Sequence, residues 1–163
     1  MIFVTVGTHE QQFNRLVEYM DKWSIKHPDE EVIIQTGFST YEPKKAEWSK
    51  LYPYKTMIEM VDRARIVITH GGPSSFIMPL QIGKIPIVVP RNHEFDEHVN
   101  NHQIYFCRKV EERQGNIIVV EQIDELGEKL EKYEEIVGKM TNGLTSNNER
   151  FCKEFEKIVN GLF

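Results

Sequence analysis

Cysteine is scarce: Cys107 and Cys152 stand far apart and fit no metal-ligand spacing, so neither a disulfide framework nor a thiolate metal site is expected. Both are read as reduced thiols, and redox chemistry is not indicated. No apolar run approaches the roughly 20 residues of a bilayer-spanning helix. Met1-Ile2-Phe3-Val4-Thr5-Val6 opens directly on a strand pattern, without a basic leader or cleavage site, so the expectation is a cytoplasmic chain that does not itself cross a membrane. A basic stripe is also missing. Net charge is −5, with 20 Lys and Arg dispersed among 25 Asp and Glu, which argues against nucleic acid as a partner. Repeats, low-complexity tracts and linkers are lacking, so residues 1–163 are read as one domain.

What the sequence does have is a regular alternation of short apolar runs with helix-length segments. Ile2–Val6 reads as a strand that ends in Gly7-Thr8-His9-Glu10, and Phe13, Leu16, Val17 and Met20 then fall on one helical face. Glu31–Thr36 is a second strand, ended by Gly37, and Phe38–Tyr52 is read as a polar loop. A short helix over Thr56–Arg63 leads into the strand Ile66–Thr69, a helix from Pro73 and the strand Ile85–Pro90. After the polar loop Arg91–His98 come a helix through Ile104 to Val110 and a strand over Ile117–Val120. Asp124–Met140 is amphipathic, as one helix or a pair, and the tail Asn147–Phe163 is another amphipathic helix. That tail either closes the domain's own core or docks on a partner chain. The pattern predicts an α/β fold, a Rossmann-like parallel sheet flanked by helices.

The elbow His70-Gly71-Gly72-Pro73-Ser74-Ser75 carries the clearest chemistry. Gly71 and Gly72 lack a Cβ and leave the main chain open to close approach, while Pro73, Ser74 and Ser75 suit a first helical turn. Helix amides from Gly72 to Ser75, with the positive end of the helix dipole behind them, form a candidate diphosphate site beyond the carboxyl end of a strand. The competing reading is a glycine pair that merely turns the chain. Arg91 either reaches a phosphate or pairs with a neighbouring carboxylate. His93, His98 and His102 with Glu94, Asp96 and Glu97 could instead ligate a metal, since His98 and His102 lie one helical turn apart. The inner Glu of a His-Glu-x-x-His motif is absent.

His70-Gly71-Gly72, the helix end Leu80-Gln81-Ile82-Gly83-Lys84, the strand Ile85–Pro90 and Asn101-His102-Gln103 after an acidic loop together resemble the C-terminal, UDP-sugar-binding half of GT-B glycosyltransferases. The opening Phe3-Val4-Thr5-Val6-Gly7-Thr8-His9 is similar to the start of the short form of that half. This short form is the small donor-binding subunit of two-subunit transferases of the glycosyltransferase family 28 type, as in bacterial capsule and exopolysaccharide synthesis and in the dolichol-linked N-acetylglucosaminyltransferase.

The resemblance implies that Gly7, Thr8 and His9 face the donor. His70, Gly71, Gly72, Ser74 and Ser75 would cradle its diphosphate, and Asn101, His102 and Gln103 would reach the sugar. It further implies transfer of a hexose, with inversion and of the β-1,4-galactosyl type, from a UDP-sugar to a polyprenyl-diphosphate-linked acceptor. A membrane-anchored second subunit would complete the site and recruit the chain to the inner membrane face. No cofactor is implied, and a metal is dispensable where a helix dipole meets the leaving diphosphate. For the catalytic base His9 ranks ahead of Asp96, with the partner as a third source. One position departs from the family pattern: Met78 stands where many relatives carry a ribose-binding Glu, so ribose falls to another group or to water. Alternatives are a non-catalytic nucleotide-sugar-binding scaffold and, third, a metal-dependent hydrolase.

Overall fold

Residues 1–140 are described by the computed structural model. Six strands form one parallel sheet: β1 (Ile2–Thr5), β2 (Val32–Gln35), β3 (Glu47–Ser49), β4 (Ile66–His70), β5 (Ile87–Val89) and β6 (Ile118–Val119), in the order β3-β2-β1-β4-β5-β6. The helices are α1 (Asn14–Lys26), α2 (Tyr54–Arg63), α3 (Pro73–Gln81), α4 (His102–Gln114), α5 (Leu126–Glu131) and α6 (Tyr133–Met140).

Apart from the edge strand β3, the strands are mainly apolar because both sheet faces are covered, and their alternation sorts side chains between two layers. Ile2, Val4, Val32, Ile34, Ile66, Ile68, Ile87 and Val89 pack with Leu16, Val17 and Met20 of α1 and Leu126 and Leu130 of α5. On the other face Phe3, Ile33 and Val67 meet Val61 of α2, and Val88 meets Phe76 and Leu80 of α3 and Cys107 and Val110 of α4. Connections run outward from β1 to β3 and then resume on the other side at β4. This reversal leaves a crevice between the carboxyl ends of β1 and β4, where an open α/β sheet binds ligands.

Three expectations change. The polar stretch Phe38–Tyr52 contains the edge strand β3, paired in parallel with β2 from Ile33↔Glu47 to Gln35↔Ser49. A three-residue edge strand with a half-exposed face carries no periodic signal, and its entry is set instead by Asp21. The Asp21 carboxylate is fully buried and accepts from the amides of Lys44 (2.9 Å), Lys45 (2.9 Å) and Ala46 (3.0 Å) and from the Tyr41 hydroxyl (2.8 Å). His70 belongs to β4, one residue beyond the expected end, and α2 starts at Tyr54. Asp124–Met140 resolves into a helix pair, α5 and α6, after a 3₁₀ turn. The helix expected over Asn147–Phe163 lies outside the described residues. Among the described residues no helix is long and apolar enough to cross a membrane.

Lys84 acts at a distance on α2. Its Nζ donates to the carbonyls of Val61 and Ala64 (both 2.7 Å) and of Asp62, satisfying the last acceptors of that helix and tying it to the α3–β5 turn.

Burial alone would raise the Asp21 carboxyl, but three backbone amides and the Tyr41 hydroxyl outweigh it and hold it below the usual range. Asp21→Ala leaves those amides unpaired and is expected to cost on the order of 3 kcal/mol in urea unfolding at neutral pH. A depressed native carboxyl stabilises above its unfolded value and loses that contribution as pH falls through the native one. The gap between variant and parent should therefore close in acid, below pH 4.

Candidate active site

A cavity of about 580 Å³ occupies the crevice between β1 and β4. One end is polar, formed by Thr5, Gly7, Thr8 and His9 after β1, Gln35 of β2, His70, Gly72, Ser74 and Ser75 at the α3 elbow, and Gln103 of α4. Tyr52, Tyr54, Met57, Val61 and Met78 make the other end apolar. None of these lining residues is Asp or Glu, although the chain is acidic.

His70 organises the polar end. A Cβ on Gly7 would lie 2.2 Å from His70 Nε2, and one on Gly72 would lie 2.4 Å from His70 Cε1. The imidazole thus fills the space on the Cβ side of both glycines, so the missing Cβ at Gly72 serves the packing of this ring, while Gly72 still lines the cavity. A Cβ on Gly71 would meet Gln103 and Cys107 at 3.0 Å, so this glycine seats α4 and does not line the cavity. Burial, reinforced by the nearby Arg91, His9 and His98, pushes His70 down to about 3, and the ring is neutral at physiological pH. Its Nε2 lies 3.1 Å from Ser75 Oγ.

The α3 turn offers fewer amides than expected. Pro73 has none, and Ser75 N donates to Gly72 O at 3.0 Å. The amides of Gly72 and Ser74 have no acceptor among the described residues, and they sit at the positive end of the α3 dipole. Gln35 is nearly fully buried at the cavity floor, where its Oε1 accepts from the Thr5 hydroxyl at 2.5 Å. Thr5 Oγ1 in turn accepts from Gly7 N at 3.2 Å, fixing the turn after β1.

Other expected residues stand outside the cavity. Arg91 is completely buried and holds loops together: Nη2 donates to Val6 O (2.7 Å), and Nη1 to the carbonyls of Gln11 (2.9 Å), Glu97 (3.1 Å) and Gln12 (3.2 Å). It neither reaches the cavity nor pairs with a neighbouring carboxylate, because Glu97 directs its carboxylate to Arg15 (3.0 Å) and the Asn92 amide (3.0 Å). Asn101 Oδ1 accepts from His93 N at 2.9 Å, and His102 is exposed with its ring stacked along Phe106. Of that triplet only Gln103 lines the cavity.

Asp96 is exposed in a left-handed conformation (φ 58°) at the end of a 3₁₀ turn. His9 does line the cavity, 4.7 Å from the His98 ring, and burial followed by Arg91 lowers its pKa. Its Nδ1 accepts from Gln11 N at 3.2 Å, so a neutral His9 carries its proton on Nε2 and presents a donor. His93 Nδ1 is engaged at 3.0 Å by the His98 carbonyl, and no group of three or more His, Cys, Asp or Glu among the described residues is placed to hold a metal. Thr5, Gln35, Tyr52, Tyr54 and Met57 were missed. Thr5 and Gln35 had a readable signal, a polar residue closing an apolar strand, whereas the two tyrosines had none.

The family model for the glycosyltransferase family 28 C-terminal domain matches residues 1–161. The chain belongs to this family. The fold of this family 28 domain is also that of solved glycosyltransferases. The glycotransferase of kitacinnamycin superposes with a TM-score of 0.59 at 15% identity, over 96% of this chain and 39% of that one. The glycosyltransferase SnogD from Streptomyces nogalater gives 0.60 at 15% identity, over 98% and 42%. The family 28 domain thus spans about two fifths of either neighbour. No curated protein matches its sequence.

Gly72→Ala separates packing from strain. Its φ of −73° suits alanine, so the variant's cost, about 1–3 kcal/mol in urea unfolding, comes from the clash with His70 and should fall towards zero in a His70→Ala background. Gly83→Ala, with open space but φ 79°, should cost about 1–2 kcal/mol in both backgrounds.

Proposed function

We propose that this domain is the donor-binding part of a glycosyltransferase and takes a UDP-sugar in the β1–β4 crevice. The observation that carries the reading is a cavity without a lining carboxylate in a chain of net charge −5, with free amides and a serine hydroxyl at one end and apolar rings at the other. A diphosphate suits the first end, where backbone donors and the α3 dipole favour negative charge. The flat nucleoside suits the second, where Tyr52, Tyr54 and Met57 offer face contacts. Met78 lines the wall as an apolar contact in place of the ribose-binding carboxylate of many relatives.

The acceptor half is supplied by a second polypeptide. This is supported by a set of exposed apolar side chains at the edge beyond the strands' carboxyl ends, Phe38, Leu51, Phe95 and Val99 between elements and Tyr54 at the start of α2. The base that takes the acceptor proton belongs to that partner, because His9 offers a donor and Asp96 stands outside the cavity. Membrane recruitment by an anchored partner, the polyprenyl-diphosphate-linked acceptor, the galactosyl donor, inversion and a role in capsule or exopolysaccharide synthesis rest on the family resemblance. So does turnover without a metal, for which the α3 dipole would offset the charge on the leaving UDP.

Calorimetric titration tests the donor site. UDP is expected to bind at one per chain, at least about tenfold more tightly than uridine and unchanged by EDTA. Absence of binding, or equal affinity for uridine and UDP, contradicts the reading. Hexose transfer is expected only when the membrane subunit is added.

A further inference from the structure

Among the described residues Arg91 is the largest fully buried side chain, and none of their carboxylates pairs with its guanidinium, which is unusual for a buried cation. Stitching loops together would explain Nη1 and Nη2. It does not explain Nε, which is aimed at His70 Nδ1 at 3.3 Å. A guanidinium nitrogen only donates, so Nδ1 must present its lone pair.

A second contact makes the same demand. Arg91 N donates to Gln103 Oε1 at 3.0 Å, which fixes the orientation of that amide and turns Gln103 Nε2 towards the same His70 Nδ1 at 3.5 Å. With Nδ1 acting as acceptor, the neutral ring carries its proton on Nε2 and donates to Ser75 Oγ at 3.1 Å. One Ser75 lone pair is thereby occupied, and its own O–H is left to point into the cavity it lines.

We propose that Arg91 is a positioning residue for the donor diphosphate: without touching the ligand, it fixes the His70 tautomer and so commits the Ser75 hydroxyl as a donor to a phosphate oxygen. The proposal rests on the UDP-sugar reading above. Each link, from Arg91 to His70 to Ser75 to phosphate, donates in the same direction, so the bonds polarise one another.

The test combines imidazole ¹⁵N NMR with UDP titration of the full chain, for the parent, Arg91→Lys, Ser75→Ala and the double variant. Lysine keeps the charge but has no nitrogen at the position of Nε. In the parent, His70 is expected to show an unprotonated Nδ1 and a protonated Nε2 at pH 7. In Arg91→Lys both tautomers should be seen. UDP affinity should fall about tenfold, yet by less than about twofold when Ser75 is already alanine. A proton on Nδ1 of the parent His70 overturns the proposal, as does an equal loss of UDP affinity from Arg91→Lys in both backgrounds. If Arg91→Lys does not fold, the parent tautomer and the loss of affinity in Ser75→Ala decide it. A parent chain that binds no UDP overturns the donor-site reading, and the tautomer then decides by itself whether Ser75 is positioned in this way.

Discussion

The carboxyl edge of this sheet is built around one imidazole held between two glycines. His70 touches the turn after β1 through Gly7, the start of α3 through Gly72 and Ser75, the end of β5 through Arg91, and α4 through Gln103. A side chain at either glycine would drive the ring out, and the ring's loss would leave a void linking both turns. The sheet reversal brings β1 and β4 together, but the spacing of their turns is set by the ring. Its neutrality is part of the same arrangement, since a charged ring would face the buried Arg91 guanidinium.

Charge is segregated with equal consequence. Acidic residues outnumber basic ones, yet the buried carboxylates among the described residues are committed away from the crevice: Glu97 to Arg15, and Asp21 to the amides that lead into β3. Arg15 also donates to the carbonyls of Glu121 and Pro90, and its guanidinium lies 5.4 Å from the Phe13 ring, with Arg91 at 5.0 Å from that ring. The loops after β1 and β5 are thus tied together by cations. What faces the cavity is a set of neutral donors and apolar rings, which suits an anion carrying a flat group.

Much of the architecture was legible in the sequence, because parallel strands buried on both faces spell themselves as β-branched runs, and the β1 and β4 turns carry their own punctuation. The edge strand β3 was not legible, since it is held by a carboxylate 26 residues away from Glu47. At the site, the elbow residues Gly72, Ser74 and Ser75 and the distant Gln103 converge on one cavity, as do Gly7, Thr8 and His9. Motif reading misassigned the reason for the glycines and the reach of Arg91. Sequence spacing reveals neither that the His70 ring packs on the Cβ side of Gly7 and Gly72 nor that the Arg91 guanidinium is engaged by the carbonyls of Val6, Gln11, Gln12 and Glu97.

The most direct test of the central claim is a crystal structure of the chain with UDP. The account predicts phosphate oxygens within hydrogen-bond distance of the Ser75 hydroxyl and the Gly72 or Ser74 amide, with the His70 ring unmoved between Gly7 and Gly72. A nucleotide bound elsewhere, or phosphates held by a His70 ring that has swung out of its slot, would contradict it.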